Sequence, residues 1–371
     1  MFSDFRKVTK AEWLEKVTKD LKGKKSIESF NWQVEDMEFS PFFHSDDAIN
    51  TNPIVDGRND NIWEIGERIV VQNNDYASAN KQAVDALTKG ANALLFDVGQ
   101  TALPLPKMQI LLENIQLEWI STHFRANNSL ELAETFVEVI KAKEQNSAKV
   151  VCSFNSLNAN CFNQLERFKN AIAQLPKAKF LTVDVSSEND VVYNLAKAIK
   201  KGNDYLELLY DNGFDLSESH QQIQFVISLN DDYFPSIAKI RALKSLWQQI
   251  LTAWNTDLKL VPNIEVHLTQ NAQTDDENYN KIKATTQAMS AVIGGANRLY
   301  IYPSDSFKNE NGTVFSRRIA LNVQHLLQQE SYLNRVIDAS AGSYFIEELT
   351  EKIAEKAWRI FQNDIEPQKT Q

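Results

Sequence analysis

Short apolar runs alternate with longer segments of helical periodicity through most of the chain. The runs have the length and composition of buried strands, and the segments between them, such as "SLELAETFVEVIKAKE", place apolar residues three and four positions apart. The eight runs are 93–98, 118–124, 149–155, 179–185, 222–229, 263–269, 298–303 and 335–340. Eight strand–helix units over about 270 residues predict a closed (β/α)8 barrel, the TIM-barrel fold of the α/β class.

A doubly wound open sheet is the alternative architecture. Such sheets usually carry a glycine-rich phosphate-binding turn after the first strand. The corresponding turn in this chain, "DVGQTALPLP", contains one glycine. The pattern therefore favours the barrel.

The N-terminal part lacks this regular alternation. A helix is predicted over residues 10–22, followed by an irregular segment rich in Asn, Asp and aromatic residues, and then by a lead-in helix. The predicted division is an extended N-terminal arm over 1–92, a barrel over 93–362 and a tail over 363–371. The aromatic residues of the arm need a surface to pack on, either the barrel or another subunit.

The stretch "DASAGSYFIEELT", residues 338–350, joins the last apolar run to a final helix. Its small residues predict a tight turn over the C-terminal mouth of the barrel, where barrel enzymes keep their chemistry. This interpretation makes Asp338 a candidate residue of the mouth. Alternatively, Gly342 and Ser343 only cap the last helix.

Polar residues share one parity along the predicted strands. They are Asp97, Ser121, His123, Ser153, Asn155, Thr182, Asp184, Ser228, Glu265, His267 and Thr269. If this parity faces inward, the barrel has a hydrophilic centre, and His123 and His267 meet near the axis as acid–base groups or as satisfied core histidines. Solvated strand ends are the alternative explanation. The candidates for the barrel interior or its mouth are Asp97, His123, Asp184, Glu265, His267, Tyr302 and Asp338.

Composition narrows the class of protein. The net charge of −10 argues against a nucleic-acid partner, which would require a basic face. Two cysteines, Cys152 and Cys161, are too few for a disulfide framework and have no spacing typical of a metal site. The N-terminus lacks the apolar region of a signal peptide and no run is long enough to span a bilayer, so we expect a cytoplasmic protein without a membrane partner.

Several segments resemble the methylmalonyl-CoA mutase family, in the same order along the chain. They are "QFVISLNDDYFPSIAKIRALKSLWQQI", "DENYNKIKATTQAMSAVIGGANRLYIYPSD", "FSRRIALNVQHLLQQES" and "VIDASAGSYFIEELTEKIAEKAW". "TKAEWLEKVTKDLKG" and "WEIGERIVV" are similar to the N-terminal arm of the small (beta) subunits of that family. The resemblance implies a barrel, an adenosylcobalamin-dependent isomerisation of methylmalonyl-CoA to succinyl-CoA, and a CoA chain that threads the barrel.

This chain departs from the catalytic large subunits of that family at the functional motifs. A "GYH" histidine is absent from "LTVDVSSENDVVYNLAKAIKKG", and His267 is followed by "LTQNAQ" where large subunits have "QTSG". The arm motif "TIRQYAGF" is replaced by "EIGERIVV", "ARIARNTQ" is reduced to "RRIALNVQ", and the "DxHxxG" signature of the cobalamin domain does not occur. The resemblance therefore implies a small subunit with no catalytic, cofactor-binding or metal-binding residues of its own.

The expected role is structural, in a heterodimer with a large subunit that binds most of the CoA thioester. Adenosylcobalamin belongs to the holoenzyme in this interpretation, and this chain alone should bind none. One alternative is an active acyl-CoA mutase chain with a divergent substrate, completed by a separate cobalamin domain. Another is an unrelated barrel hydrolase or aldolase, which would need a lysine or a metal-binding cluster at the strand ends.

Overall fold

The computed structural model describes residues 6–47, 58–99, 102–126, 129–155, 164–187, 190–255, 258–268 and 272–363. The arm contains helix α1 (Lys10–Leu21) and the antiparallel hairpin of β1 (Trp32–Val34) and β2 (Met37–Phe39). The strands that follow are β3 (Glu64–Val70), β4 (Ala93–Gly99), β5 (Ser121–Ala126), β6 (Val151–Asn155), β7 (Ala178–Lys179), β8 (Leu181–Asp184), β9 (Ile223–Leu229), β10 (Ile264–Leu268) and β11 (Arg298–Tyr300).

Helices follow the strands in the order expected of a barrel. They are α2 (Tyr76–Thr88), α3 (Leu105–Leu111), α4 (Ser129–Ala142), α5 (Leu165–Gln174), α6 (Val191–Asp211), α7 (Leu216–Gln222), α8 (Tyr233–Trp254), α9 (Glu277–Gly294), α10 (Val314–Gln329) and α11 (Tyr344–Asn363). No helix within the described ranges is both long and apolar enough to cross a membrane.

One parallel sheet contains all strands from β3 to β11. Its order is β7-β6-β5-β4-β3-β11-β10-β9-β8, so its two edge strands, β7 and β8, are separated in the chain only by Phe180. These two short strands act as one interrupted strand that joins β6 to β9. The sheet therefore closes into an eight-stranded barrel, which confirms the predicted fold.

Two strand assignments made from the sequence are wrong. The first barrel strand is β3, which lies within the segment assigned to the arm, and the last is β11. The run 335–340, predicted as the eighth strand, lies in turns, and Asp338 has a left-handed backbone with φ of 47°. The alternation of charged and apolar residues in "EIGERIV" is that of a strand with a charged inner face, which the apolar-run criterion does not detect.

The outer face of the barrel is apolar and aromatic. Phe96, Phe124 and Phe154 stand side by side on adjacent strands, with ring centroids 5.8 Å apart in each pair. Phe136 of α4 packs edge-on against Phe124 at 5.2 Å. Because successive side chains of a strand point to opposite faces, the polar parity of these strands faces the barrel interior.

The aromatic residues of the arm pack on their own chain. The Trp32 ring lies 4.2 Å from that of Phe345 at the start of α11, and Phe39 and Trp63 are fully buried. Helix α11 is additional to the eight strand–helix units and packs on α6 and α8. Helix α1 is different, because it has no buried residue. Its half-buried side is formed by Trp13, Leu14, Val17 and Leu21.

Gly66 provides the space that Tyr300 occupies inside the barrel. A Cβ at position 66 would lie 2.4 Å from Cε1 of Tyr300 and 2.8 Å from the carbonyl oxygen of Leu299.

We expect Gly66→Ala to lower the free energy of unfolding by about 1–3 kcal/mol, as overpacking does. Urea unfolding of Gly66→Ala, Tyr300→Leu and the double variant checks this. The double variant should lose less than the sum of the single variants; simple additivity would contradict the contact.

Candidate functional site

The barrel interior is built from polar side chains of nearly every strand. The polar residues on the face opposite the phenylalanine row are Glu64, Arg68, Asp97, Ser121, His123, Arg125, Ser153, Asn155, Thr182, Asp184, Gln224, Ser228, Glu265, His267, Arg298 and Tyr300, and Gly66, Leu95 and Val226 share that face. The hydrophilic centre inferred from the sequence is therefore present. Thr269 and Cys161 lie outside the described residues.

Arg298 is a buried cation in the part of the barrel interior that lies away from the C-terminal mouth. It is 3% exposed, its Nε lies 2.6 Å from Oε2 of Glu64, and its Nη1 lies 2.8 Å from Oε2 of Glu265. The other oxygen of Glu265 is 2.7 Å from Nε2 of His267. Burial opposes the charge of Arg298, but the neighbouring carboxylates outweigh burial and raise its pKa.

Glu265 stays ionised in this setting. Burial acts to raise its pKa, but the hydrogen bond with His267 and the charges of His267 and Arg298 lower the pKa to about 2. We call the connected set Glu64, Glu265, His267, Arg298 and Tyr300 the interior network. It joins the first barrel strand to the last two.

His123 is close to this network, but its hydrogen bond is to Ser153. Its Nδ1 lies 2.7 Å from Oγ of Ser153, and its Nε2 is 3.9 Å from the carboxylate of Glu64. Burial and the positive charge of Arg298 lower the pKa of His123 well below its usual value. The imidazole is therefore neutral and belongs to the packed core.

Tyr300 completes the closure of the axis. Its ring packs over Gly66, and its centroid lies 5.0 Å from that of His267. Burial raises the pKa of its phenol, as does the negative charge of Glu265. Together, Tyr300 and the ion pairs of Arg298 fill the space that a channel along the axis would require.

A small cavity remains above this closure, at the C-terminal mouth. Its volume is about 140 Å³. It is lined by Leu95, Phe124, Arg125, Ser153, Asn155, Asp184, Ser186, Gln224, Val226, Ser228, Glu265, His267, Leu268 and Tyr302. Of the residues predicted from sequence, Asp184, Glu265, His267 and Tyr302 meet at this cavity. His123 lies below it.

Asp97 lies beside the cavity in an ion-pair cluster. Its Oδ2 is 2.7 Å from Nη2 of Arg68 and 3.7 Å from Nη1 of Arg125. Arg68 also reaches Glu310 at 3.1 Å and lies 5.5 Å from the ring centroid of Tyr302. The carboxylate of Asp97 is therefore already engaged in ion pairs with Arg68 and Arg125.

Asp338 is not at the mouth, so that prediction is wrong. Its carboxylate pairs with Arg241 of α8 at 2.8 and 3.0 Å, and the same guanidinium contacts Glu347 of α11 at 3.0 Å. Arg241 is 1% exposed, and a guanidinium so deeply buried requires carboxylate partners. Gly342 donates its N–H to Glu347 at 2.8 Å, so the small-residue stretch shapes the start of α11.

The interior residues not predicted from the sequence are Glu64, Arg68, Arg125, Gln224 and Arg298. Arg298 shares one parity of the run "RLYIYP" with Tyr300, so alternation could have identified it. Glu64 and Arg68 were missed because their strand was assigned to the arm. No local signal distinguishes Gln224 from a surface glutamine.

The methylmalonyl-CoA mutase family model matches residues 178–367 of this chain. The methylmalonyl-CoA mutase small subunit of Porphyromonas gingivalis is 30% identical over 97% of this chain and 63% of its own length. A probable methylmalonyl-CoA mutase small subunit of Mycobacterium tuberculosis is 27% identical over 81% of this chain and 52% of its own length.

This chain belongs to the methylmalonyl-CoA mutase family. It spans only part of the length of these relatives, 63% of the Porphyromonas gingivalis protein and 52% of the Mycobacterium tuberculosis protein. The family is an isomerase family whose members generally depend on adenosylcobalamin.

The described mouth does not fit a cobalt-ligating role. His123 is 1% exposed, and Nε2 of His267 is engaged by Glu265. The remaining histidines, His44, His220 and His325, use ring nitrogens in bonds to the arm, Val261 and Lys89. Within the described ranges there is no group of three or more His, Cys, Asp or Glu side chains that could hold a metal ion.

The low pKa of Glu265 predicts a pH dependence of stability. A depressed carboxyl pKa contributes stability that is present above the ordinary value of 4.5 and is lost as pH falls towards about 2. Glu265→Gln should lower the free energy of unfolding at neutral pH by about 3–5 kcal/mol, because Arg298 loses a buried partner. Below pH 4.5 the slope of stability against pH should decrease by up to about 1.4 kcal/mol per pH unit.

Urea unfolding followed by circular dichroism at a series of acidic pH values checks this. Glu277→Gln is the control, since Glu277 forms an exposed ion pair with Lys308 and such pairs contribute at most about 1 kcal/mol. An unchanged slope in Glu265→Gln would show that Glu265 is not the titrating group.

Proposed function

We propose that this chain is the barrel region of a methylmalonyl-CoA mutase small subunit and that it acts structurally in a complex with a catalytic large subunit. The complex would interconvert methylmalonyl-CoA and succinyl-CoA with adenosylcobalamin held outside this chain. The observation that carries the proposal is the closure of the barrel axis by Tyr300 and the ion pairs of Arg298.

The closure bears directly on substrate binding. The family resemblance implies that catalytic chains admit the CoA chain along the barrel axis. Pockets that hold drug-sized ligands usually have volumes of about 300–1,000 Å³. The mouth cavity of this chain has about 140 Å³ and ends at the interior network, which is too small for a CoA thioester.

Opening the axis would be energetically costly. A ligand on the axis would have to displace Tyr300 and separate Arg298 from Glu64 or Glu265. Removing one partner of a buried ion pair typically costs about 3–5 kcal/mol. This cost favours binding of the CoA thioester by the partner.

Electrostatics support the same division of roles. A radical isomerase stabilises charge at the substrate carbonyl with a placed donor. The segment "LTVDVSSENDVVYNLAKAIKKG" contains no histidine. The two interior histidines are already engaged, His123 with Ser153 and His267 with Glu265. The large subunit would supply the donor.

Helix α1 is the surface proposed to bind the large subunit. Its apolar side (Trp13, Leu14, Val17 and Leu21) is only half covered, although Trp13 stacks on Phe42 with centroids 3.9 Å apart. Of the other aromatic residues of the arm, Trp32, Phe39 and Phe43 pack on Phe345 of α11. The proposed contact is therefore confined to one face of α1.

Substitutions on this face test the assignment. We expect Leu14→Gln and Val17→Gln each to weaken the complex with a cognate large subunit about two- to sixfold, because burial of the exposed part of each side chain, at most about a third of it, contributes about 0.5–1 kcal/mol. Glu15→Gln and Lys19→Gln are the controls, since both side chains are exposed on the opposite side of α1. Biolayer interferometry with immobilised large subunit measures the affinities. Equal affinities for all four variants would exclude α1 as the contact.

The catalytic role is tested with purified components. The chain alone, mixed with adenosylcobalamin and methylmalonyl-CoA, should form no succinyl-CoA and should not retain the corrin on gel filtration. Addition of a cognate large subunit should give turnover and a stable complex. Turnover by this chain with a separate cobalamin domain would instead support the alternative of an active acyl-CoA mutase with a divergent substrate.

A further inference from the structure

The mouth cavity has no role in the proposed structural function. It is bounded below by Glu265 and His267 and opens at the carboxyl ends of the strands, where barrel proteins place their ligand sites. Its volume of about 140 Å³ is similar to that of an engineered cavity of about 150 Å³ that holds benzene. A ligand of about six non-hydrogen atoms would therefore fill it.

Gln224 lines this cavity and carries an acceptor without a partner. The side chain is 2% exposed, and its Nε2 donates to Oγ1 of Thr182 at 3.0 Å. Its Oε1 accepts no hydrogen bond from the residues that the structure describes. An unpaired buried acceptor is unfavourable, so this position favours a ligand that brings an N–H or O–H donor.

A carboxylate lies on the same wall. Asp184 accepts from Nδ2 of Asn155 at 3.2 Å, and from the backbone N–H and the hydroxyl of Ser186 at 3.0 and 2.6 Å. All of these donors are uncharged, and the carboxylate lines the cavity. A donor that is also a cation satisfies Gln224 and Asp184 together.

Arg125 supplies the opposite charge. Arg125 lies on β5, in register with Asn155 of the neighbouring strand β6. Its side chain is 44% exposed. Its nearest carboxylate, Asp97, is 3.7 Å away and is held more closely by Arg68 at 2.7 Å. The guanidinium of Arg125 therefore has donors available for an anionic group.

We infer that the mouth cavity binds a short zwitterion, in which an amine and a carboxylate are joined by one to three carbon atoms. The ammonium group lies against Gln224 and Asp184, and the carboxylate lies against Arg125. Asp184 lies on β8 and Arg125 on β5, with β6 between them, and both line the same small cavity, so a molecule of this length can contact both charged side chains. This inference goes beyond the proposed structural role and does not depend on it.

Ligand-observed NMR with the full chain tests the inference. The probes are glycine, β-alanine and 4-aminobutyrate, compared with propionate, propylamine and succinate. We expect at least one zwitterion to bind at least tenfold more tightly than propionate, propylamine and succinate. Absence of binding by every zwitterion in the millimolar range, or tighter binding of succinate, would overturn the inference.

Variants then assign the contacts. Asp184→Asn and Arg125→Met should each weaken binding of the zwitterion at least tenfold, while Asp184→Asn should leave propionate unchanged. Gln224→Glu should strengthen propylamine binding, because it adds a negative charge at the donor site. Asp211→Asn, at the exposed end of α6, is the matched control and should bind as the unmodified chain does. Equal affinities of Asp184→Asn and Asp211→Asn would refute the site.

Discussion

The pairing of Arg298 with Glu64 and Glu265 is the interaction on which the barrel interior depends. A guanidinium that is 3% exposed is unfavourable unless carboxylates satisfy it, and here they come from the strands on either side. Glu64 lies on the first barrel strand and Glu265 on the seventh. The pairing therefore ties the chain together where the barrel closes, and it puts charge where most barrels have branched apolar side chains.

The buried ion pairs limit which ligands can enter the barrel interior. An apolar filling could rearrange at modest cost, whereas a buried ion pair has to be separated or left uncompensated. Tyr300 adds a steric barrier, because it occupies the space left by Gly66. The interior is therefore hydrophilic without being a channel, and the remaining cavity is restricted to the mouth.

The arm shows how one segment can serve two purposes. Its hairpin packs on α11 through Trp32, Phe39 and Phe345, which fixes the arm on its own chain. Helix α1 contributes no buried side chain to that packing. An amphipathic helix normally buries its apolar stripe. Of the two surfaces on which the aromatic residues of the arm could pack, the hairpin uses that of its own chain.

The sequence by itself determined the class of fold and the polar character of the interior. Both follow from local periodicity, since alternation decides which face of a strand a residue occupies and an apolar stripe marks each helix. It also predicted that Asp184, Glu265, His267 and Tyr302 would lie at or in the barrel. These predictions needed no knowledge of which strands are neighbours.

Only the tertiary structure decided where the barrel begins and ends. "EIGERIV" looks too charged for a buried strand until Glu64 meets Arg298, some 234 positions away in the chain. "RVIDAS" has the pattern of a strand. In the structure its Asp338 instead forms an ion pair with the buried Arg241, outside the barrel. In both cases a buried arginine and its distant carboxylate determine the outcome. The stabilisation of a buried charge depends on partners that no local pattern identifies.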